Sequence, residues 1–342
     1  MKRILWGGKR GRTPFRPFIK LGYSHNLRKK DVHTARYLCL NSDKRTVNKF
    51  ANLKSIHLKR NTCTGKVEIF IDDLILLTNG KNVLSFESLD LCFLIKYELL
   101  QNREKIDLKR MPLTLTANNL VDFQEGAVSQ GEDTPIKEED KGSYFQQQRT
   151  IMENKIFENF QNDLILYQNG QTNMLDRVNK GGGSQTIDLP KSLNYVENYK
   201  IKNLREEENN VYTKFISIFE NIHGVKLRRA NHFETPVQDL HVEEKIKNLI
   251  KSMNSSGIFL FYKCTQILNS FVFSYLFLHG YMGYKEVYRC CNLEYIYQFS
   301  KWGYVYDVHG ARDAGALLAL SSLRLLGSLL RREGGEEGET GK

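Results

Sequence analysis

The first regular alternation of apolar and polar residues lies at residues 67–71, where the sequence VEIFI has the period of a half-buried strand. Asp72 and Asp73 indicate a turn, and the apolar run at 74–77 predicts a second strand that completes a hairpin. Ser88 then precedes a helical pattern that reaches Leu99, as expected of an N-terminal cap. These patterns predict a small α+β domain.

Farther along the chain the spacing of apolar residues becomes helical. Positions three and four residues apart predict helices at 146–167, 211–222, 241–253 and 312–330. Residues 264–284 contain no charged side chain over 21 residues, a length that could cross a bilayer. Polar residues such as Gln266 and Asn269 interrupt that stretch. A buried central helix at 255–284 is therefore favoured over a membrane span.

The stretch 284–303, YKEVYRCCNLEYIYQFSKWG, predicts one further helix with a single apolar face. Gly303 stands where a helix often ends in a left-handed residue. Glu294 lies beside the apolar face, so its carboxylate needs a partner. That partner is either a neighbouring Lys or Arg of the same chain or a group on another molecule.

Polar segments divide the chain. We expect these parts in order: a leader and flexible approach at 1–60, an α+β domain at 61–124, a disordered acidic insertion at 125–145, a helical domain at 146–330 with a polar insertion at about 179–208, and a disordered tail at 331–342. The Gly-rich run at 181–183 is not followed by the Lys-Ser/Thr of a phosphate-binding loop.

Charge is concentrated at one end. The formal net charge is +11, and residues 1–30 hold ten Lys or Arg and no Asp or Glu, which leaves 11 − 10 = +1 for the remainder. Such a leader is typical of mitochondrial import. The alternative is a basic arm that binds RNA, because Phe15, Phe18 and Tyr23 alternate with the charges.

Catalytic and metal-binding patterns are absent from the sequence. The six cysteines form no C-x-x-C pair and have no His at metal-ligand spacing, so we expect reduced and mostly buried thiols. The eight histidines show no recognisable relation to a nucleophile, and no carboxylate pair has acid/base spacing. We therefore expect no enzyme activity, no cofactor and no metal.

Three separated blocks carry a family resemblance. Residues 293–303, LEYIYQFSKWG, resemble the L-E-x-x-Y-Q-x-x-x-W-G signature of the mitochondrial ATP synthase assembly factor 2 family. Residues 106–122 resemble its I-D-x-x-x-M-P-L-T-x-x-A-N-x-x-x-D block. The hairpin resembles its L-D-G-x-x-x-x-T-P element, with Asp73 and Asn79 in place of Gly and Pro. Leu99 stands where the family has Trp after Glu98.

The resemblance implies a small N-terminal strand-and-helix domain followed by a C-terminal multi-helical domain. It also implies a monomeric chaperone of the mitochondrial matrix that holds the unassembled alpha subunit of F-type ATP synthase until the beta subunit replaces it. Nucleic acid binding and a membrane span are not expected. The partner-binding residues would be Glu294, Lys301 and Trp302, although Trp302 also suits a core position. The alternative is a non-catalytic RNA- or ribosome-associated protein of mitochondria.

Overall fold

A computed structural model describes residues 36–39, 55–103, 107–126, 138–168, 203–231, 235–302 and 309–333. The basic leader, the middle of the acidic insertion and almost all of the second insertion lie outside these residues. So do Gly303 and the end of the tail. The predictions made for those parts stay predictions.

A small mixed sheet forms the N-terminal part of the fold. Its five strands are β1 (Arg36–Cys39), β2 (Ile56–Arg60), β3 (Val67–Ile71), β4 (Leu74–Leu77) and β5 (Ser85–Phe86). The order is β1-β4-β3-β2, β5 pairs with β3, and only the β1–β4 pair is parallel. The predicted hairpin is confirmed. Its left-handed residue is Asp72, with φ 53°, so the turn forms without a glycine at Asp73.

The prediction of a flexible approach up to residue 60 is wrong at two places, because β1 and β2 belong to the sheet. Strand β2 pairs with β3 along its whole length, and Ile56 lies buried opposite Ile71. Leu58 is half-buried and the other residues of β2 after Ile56 are polar and exposed, which is typical of an edge strand. Ile56 and Leu58 alternate with His57 and Lys59, a short strand signal that the pairing with β3 completes.

Two helices follow the sheet along the chain. Helix α1 (Leu89–Gln101) begins at Ser88, whose hydroxyl accepts a hydrogen bond from the Leu91 amide, so the predicted cap is confirmed. It packs against β2 and β3. Helix α2 (Pro112–Gln124) packs against α1. Proline is the first residue of the helix, a position that needs no N–H donor.

The C-terminal part is helical. Its helices are α3 (Glu138–Gln161), α4 (Leu204–His223), α5 (Leu240–Ser252), α6 (Ser255–Leu268), α7 (Phe271–His279), α8 (Tyr284–Cys291), α9 (Leu293–Trp302) and α10 (Ala311–Glu333). A short 3-10 turn (Leu164–Leu166) follows α3, and strand β6 (Tyr167–Gln168) pairs with β7 (Ala230–Asn231). The predicted α+β class with a multi-helical second part is confirmed.

Several predicted boundaries are wrong. Helix α3 begins eight residues early, inside the expected acidic insertion, and α4 begins at Leu204, inside the expected polar insertion. Helix α10 reaches Glu333, inside the expected tail. In α4 the Asn203 side chain accepts a hydrogen bond from the Glu206 amide, and two carboxylates in the first turn favour its positive end.

The predicted central helix is two helices. Asn269 adopts a left-handed conformation, with φ 50°, and ends α6; Ser270 then caps α7. Asp163 holds this break from outside: its carboxylate accepts hydrogen bonds from the amides of Ile165 (3.1 Å) and Val272 (2.8 Å). Burial raises the pKa of Asp163 from 3.8 to about 6.

Aromatic side chains fill the core around this break. Phe271, Phe273 and Phe277 of α7 are fully buried. The ring of Phe271 lies 5.3 Å from Phe160 of α3 and 4.9 Å from Phe261 of α6, in tilted and edge-on arrangements. Helix α7 is therefore the most enclosed helix of this part, and α3, α4, α6, α8 and α10 pack against it.

Within the described residues one segment, Ala311–Arg332, is long and apolar enough to cross a membrane, and 39% of it is buried. The core helix of a water-soluble protein passes the same test. This helix packs against α2, α6 and α8, and its Asp313 accepts a buried hydrogen bond of 2.6 Å from the Tyr288 hydroxyl. Its Arg324 donates to carbonyl oxygens at the end of α7.

Candidate functional site

Motif residues of the N-terminal part are bonded to one another. Glu98 of α1 accepts hydrogen bonds from the amides of Leu113 (3.1 Å) and Thr114 (2.7 Å) and from the Thr114 hydroxyl (2.7 Å). Helix N-termini leave amide groups without partners, and here another helix supplies the acceptor. Leu99, in place of the family's Trp, is fully buried. This block therefore joins α1 to α2.

A second motif network joins the β4 turn to α2. The buried Asp122 carboxylate accepts hydrogen bonds from the Thr78 hydroxyl, the Gly80 amide (2.9 Å) and the Asn82 side chain (3.0 Å). Burial raises the pKa of Asp122, and these bonds oppose the rise. Asn118 accepts from the Asn79 amide. Both motif blocks therefore join elements of the fold to one another.

Glu294 lies in a different kind of place, at the rim of an open cavity of about 300 Å³. The cavity lies between α4, the 3-10 turn with β6, and the junction of α8 and α9. Its lining consists of Leu164, Tyr167, Glu208, Tyr212, Cys291, Asn292, Glu294, Tyr295 and Gln298. Glu294 is exposed, and its carboxylate accepts a hydrogen bond of 3.3 Å from Gln298 one turn later.

A helix break sets the position of Glu294. The predicted single helix from 284 to 303 is wrong, because the chain leaves α8 and starts α9 at Asn292. The Asn292 side chain donates to the Tyr288 carbonyl (2.7 Å) and accepts from Arg312 (3.2 Å), while its own carbonyl accepts from the Ile296 amide. Glu294 therefore stands in the first turn of α9, where the helix dipole favours a carboxylate.

Buried polar groups form the inner wall. Glu208 and Tyr212 of α4 are both buried. Burial, and then the negative charge of Glu208, raise the pKa of Tyr212 well above 10. Arg229 donates to Asn209 and Thr213 of the same helix, and burial lowers its pKa. The cavity thus has one carboxylate at its rim and another in its wall.

The rim beside Glu294 is held by aromatic contacts. The Arg312 guanidinium lies 4.1 Å from the centre of the Tyr295 ring. The ring of His309 lies 5.4 Å from Tyr295 and 4.7 Å from Phe299. These contacts fix α9 against the start of α10, so the cavity rim is a supported surface.

The three predicted partner-binding residues share α9. Glu294 is in its first turn, and Lys301 and Trp302 are its last two residues. The side chains of Lys301 and Trp302 lie outside the described part, so their role stays a prediction. Sequence reasoning missed Glu208, Tyr212 and Asn292. Glu208 fell inside a presumed loop, and the polar Asn292 between two apolar helical segments was the available signal for a break.

In the part of the chain that the structure describes, no group of three or more His, Cys, Asp or Glu side chains could hold a metal ion. Among the described residues, Cys92, Cys264 and Cys290 are buried thiols outside any disulfide, Cys291 is half-buried, and Cys63 is exposed. Burial raises the pKa of Cys290 to about 11, so this thiol is protonated and unreactive near neutral pH.

Solved structures of other proteins share this fold. The fold matches the crystal structure of Atp12 from Paracoccus denitrificans, with a TM-score of 0.58 and 17% identity over 81% of this chain and 96% of that one. A candidate chaperone from Agrobacterium tumefaciens gives a TM-score of 0.61 and 14% identity, covering 82% and 85% of the two chains. At these identities the likeness shows the fold alone.

Sequence comparison is more specific. The model of the ATP12 chaperone protein family matches residues 52–220. Mitochondrial protein atp12 of Schizosaccharomyces pombe is 31% identical over 118 residues, which are 32% of this chain and 39% of the yeast protein. The match therefore spans about two fifths of that curated relative's length. Residues 52–220 therefore match the ATP12 chaperone family, which confirms the resemblance found in the motifs.

Proposed function

We propose that this chain is an assembly chaperone of F-type ATP synthase that acts in the mitochondrial matrix. It binds the unassembled alpha subunit as a monomer, prevents its aggregation and is replaced by the beta subunit, without catalysing a reaction. The match of residues 52–220 to the ATP12 chaperone family, the mitochondrial relative and the basic leader support this proposal. An unassembled subunit exposes apolar surface that its neighbour later covers, and such surface aggregates unless it is shielded.

The cavity lined by Glu294 and Glu208 is the feature from which we propose a binding site for the client. Its volume of about 300 Å³ is enough for one long side chain of a partner. Glu294 at the rim can accept a charge-assisted hydrogen bond from an Arg or Lys of that partner. Leu164 and the aromatic walls can contact the apolar stem of the same side chain. Lys301 and Trp302 extend the contact to the other end of α9.

A contact of this kind suits a temporary complex. Charged groups at an exposed rim raise the rate of association more than they raise affinity. A chaperone whose client must leave needs fast association without very high affinity. A large and fully apolar interface would compete with the beta subunit. The exposed position of Glu294 therefore agrees with capture followed by release.

The test is Glu294→Lys, with Glu244→Lys as the matched control. Glu244 is also an exposed glutamate on a helix, but α5 does not line the cavity. We expect the Glu294 variant to capture about tenfold less alpha subunit, a change that corresponds to roughly 1.4 kcal/mol. The control should capture as much as the unmodified protein, and circular dichroism should show both variants folded.

Equal capture by both variants would remove Glu294 from the binding site. The broader proposal has its own test, which is recovery of the alpha subunit from mitochondrial lysate by the unmodified chain. Recovery of ribosomal RNA in its place would favour the RNA-associated alternative.

A further inference from the structure

The outer face of α1 carries a row of exposed apolar side chains that the fold does not use. Leu89, Phe93, Tyr97 and Leu100 are exposed by 45%, 52%, 60% and 42%. Their spacings of four, four and three residues place them on one side of the helix. The opposite side buries Leu91, Cys92, Ile95 and Leu99 in the domain core. We call the four exposed residues the α1 stripe.

The α1 stripe is unusual for a soluble surface. Single exposed apolar residues are common, but a contiguous row is not. Other exposed large apolar residues of the described part stand singly or in pairs, such as Leu318 and Leu325 on α10. Aromatic side chains make up half of the stripe, and aromatic residues are enriched at protein interfaces. The row therefore indicates a contact surface.

The size of the stripe argues against a second copy of this chain as its occupant. Four large side chains that each expose about half of roughly 200 Å² give about 400 Å². A stable interface buries about 800 Å² on each partner, which is twice as much. The stripe can therefore serve as one part of a larger contact, and it is too small to hold a symmetric dimer alone.

The charges beside the stripe indicate the chemistry of the occupant. Glu87 and Asp90 are exposed at its N-terminal end, Lys96 is half-buried beside its middle, and Arg103 is exposed just beyond its C-terminal end. The border is therefore acidic at one end, and it complements an apolar patch that is flanked by Lys or Arg. The exposed Glu294 at the rim of the cavity also suits a cationic group of a partner. A single client with an apolar surface and basic groups at its edge could therefore contact both the α1 stripe and the cavity at Glu294.

We propose that the α1 stripe is a docking surface for an apolar patch of the unassembled alpha subunit, with basic client residues opposite Glu87 and Asp90. This rests on the proposed function and deepens it, because it assigns the shielding of apolar surface to the N-terminal domain. The cavity at Glu294 then contributes a separate polar contact. Apolar burial at the stripe supplies affinity, and the acidic end guides the client into place.

The test measures the dissociation constant for purified alpha subunit. The variant Phe93→Gln/Tyr97→Gln keeps good helix formers at both positions and removes the two aromatic rings. We expect its dissociation constant to rise at least tenfold. The control Leu318→Gln removes an equally exposed apolar side chain from α10 and should bind as the unmodified protein does. Thermal melting should agree within about 3 °C for all three proteins.

Each other outcome has a defined meaning. Binding of the aromatic variant at unmodified strength overturns the stripe and leaves the chaperone proposal standing, whereas failure of the unmodified chain to bind alpha subunit overturns both. A large fall in melting temperature, or a dimer in sedimentation that the variant abolishes, shows that this chain itself covers the stripe.

A second variant does not depend on the aromatic residues. Glu87→Lys/Asp90→Lys should slow association at low salt and weaken its dependence on ionic strength. An unchanged association rate would contradict the acidic end of the surface.

Discussion

Replacement of Glu98 by Ala tests whether α1 caps α2. The Glu98 carboxylate accepts three hydrogen bonds from the first turn of α2, at 3.1, 2.7 and 2.7 Å. Met111, the residue before that helix, offers no side-chain cap. Removal of the carboxylate leaves two amides and one hydroxyl without their acceptor, although water can replace part of it because Glu98 is half-buried.

The magnitude follows from these bonds. A hydrogen bond to a charged group contributes about 1.5 to 3 kcal/mol, and partial access of water reduces the sum, so Glu98→Ala should cost about 2 to 4 kcal/mol. Glu98→Gln keeps one acceptor oxygen and should cost about half as much. The control Glu87→Ala removes an exposed glutamate just before the same helix and should change stability by less than about 0.5 kcal/mol.

Urea unfolding followed by circular dichroism measures these free energies. Hydrogen exchange at the amides of Leu113 and Thr114 gives a local reading, and both amides should exchange faster in Glu98→Ala. The cap is refuted if Glu98→Ala unfolds within 0.5 kcal/mol of the unmodified protein, a margin of about the size expected of neutral surface changes.

Two further predictions concern buried carboxylates. Asp122→Ala should cost about 3 kcal/mol in urea unfolding because three donors around the β4 turn lose their acceptor, and a cost below about 1 kcal/mol would contradict that network. Asp163 has a raised pKa of about 6, so the folded state binds the proton more tightly than the unfolded chain does. Its contribution to stability is complete below pH 3.8 and is lost as the pH rises through 6. Relative to the non-titrating Asp163→Asn, the free energy of unfolding of the unmodified protein should therefore rise by up to about 3 kcal/mol when the pH falls from 7 to 4. A difference between the two proteins that is independent of pH would contradict the raised pKa of Asp163.

The sequence predicted the structure correctly where that structure depends on residues close together in the chain. The hairpin follows from alternation and a turn, and the start of α1 follows from Ser88, so both were predictable. The cap of α2 was not, because its acceptor comes from a residue 15 positions earlier on another helix. Strand β2 was missed because the alternation of Ile56 and Leu58 with polar residues is short, and its pairing with β3 completes the strand.

The candidate site shows the same limit. The apolar face from 284 to 303 continues across Asn292, so periodicity predicts one helix. The break is stabilised by Arg312, which is 20 residues distant and cannot be assigned from spacing. Glu294 was identified from the family motif, whereas the wall residue Glu208 belongs to a helix turn that was assigned to a polar insertion. The motif located the rim of the cavity, and only the packing of α4 against α9 supplied its wall.

Reconstitution with purified subunits is the most direct test of the proposed chaperone function. Alpha subunit is diluted from denaturant with and without this chain, and light scattering and size-exclusion chromatography record aggregation and complex formation. We expect the chain to keep the alpha subunit soluble in a one-to-one complex without nucleotide. Added beta subunit should then release the chain. Aggregation of alpha at the same rate with and without the chain would contradict the proposed function.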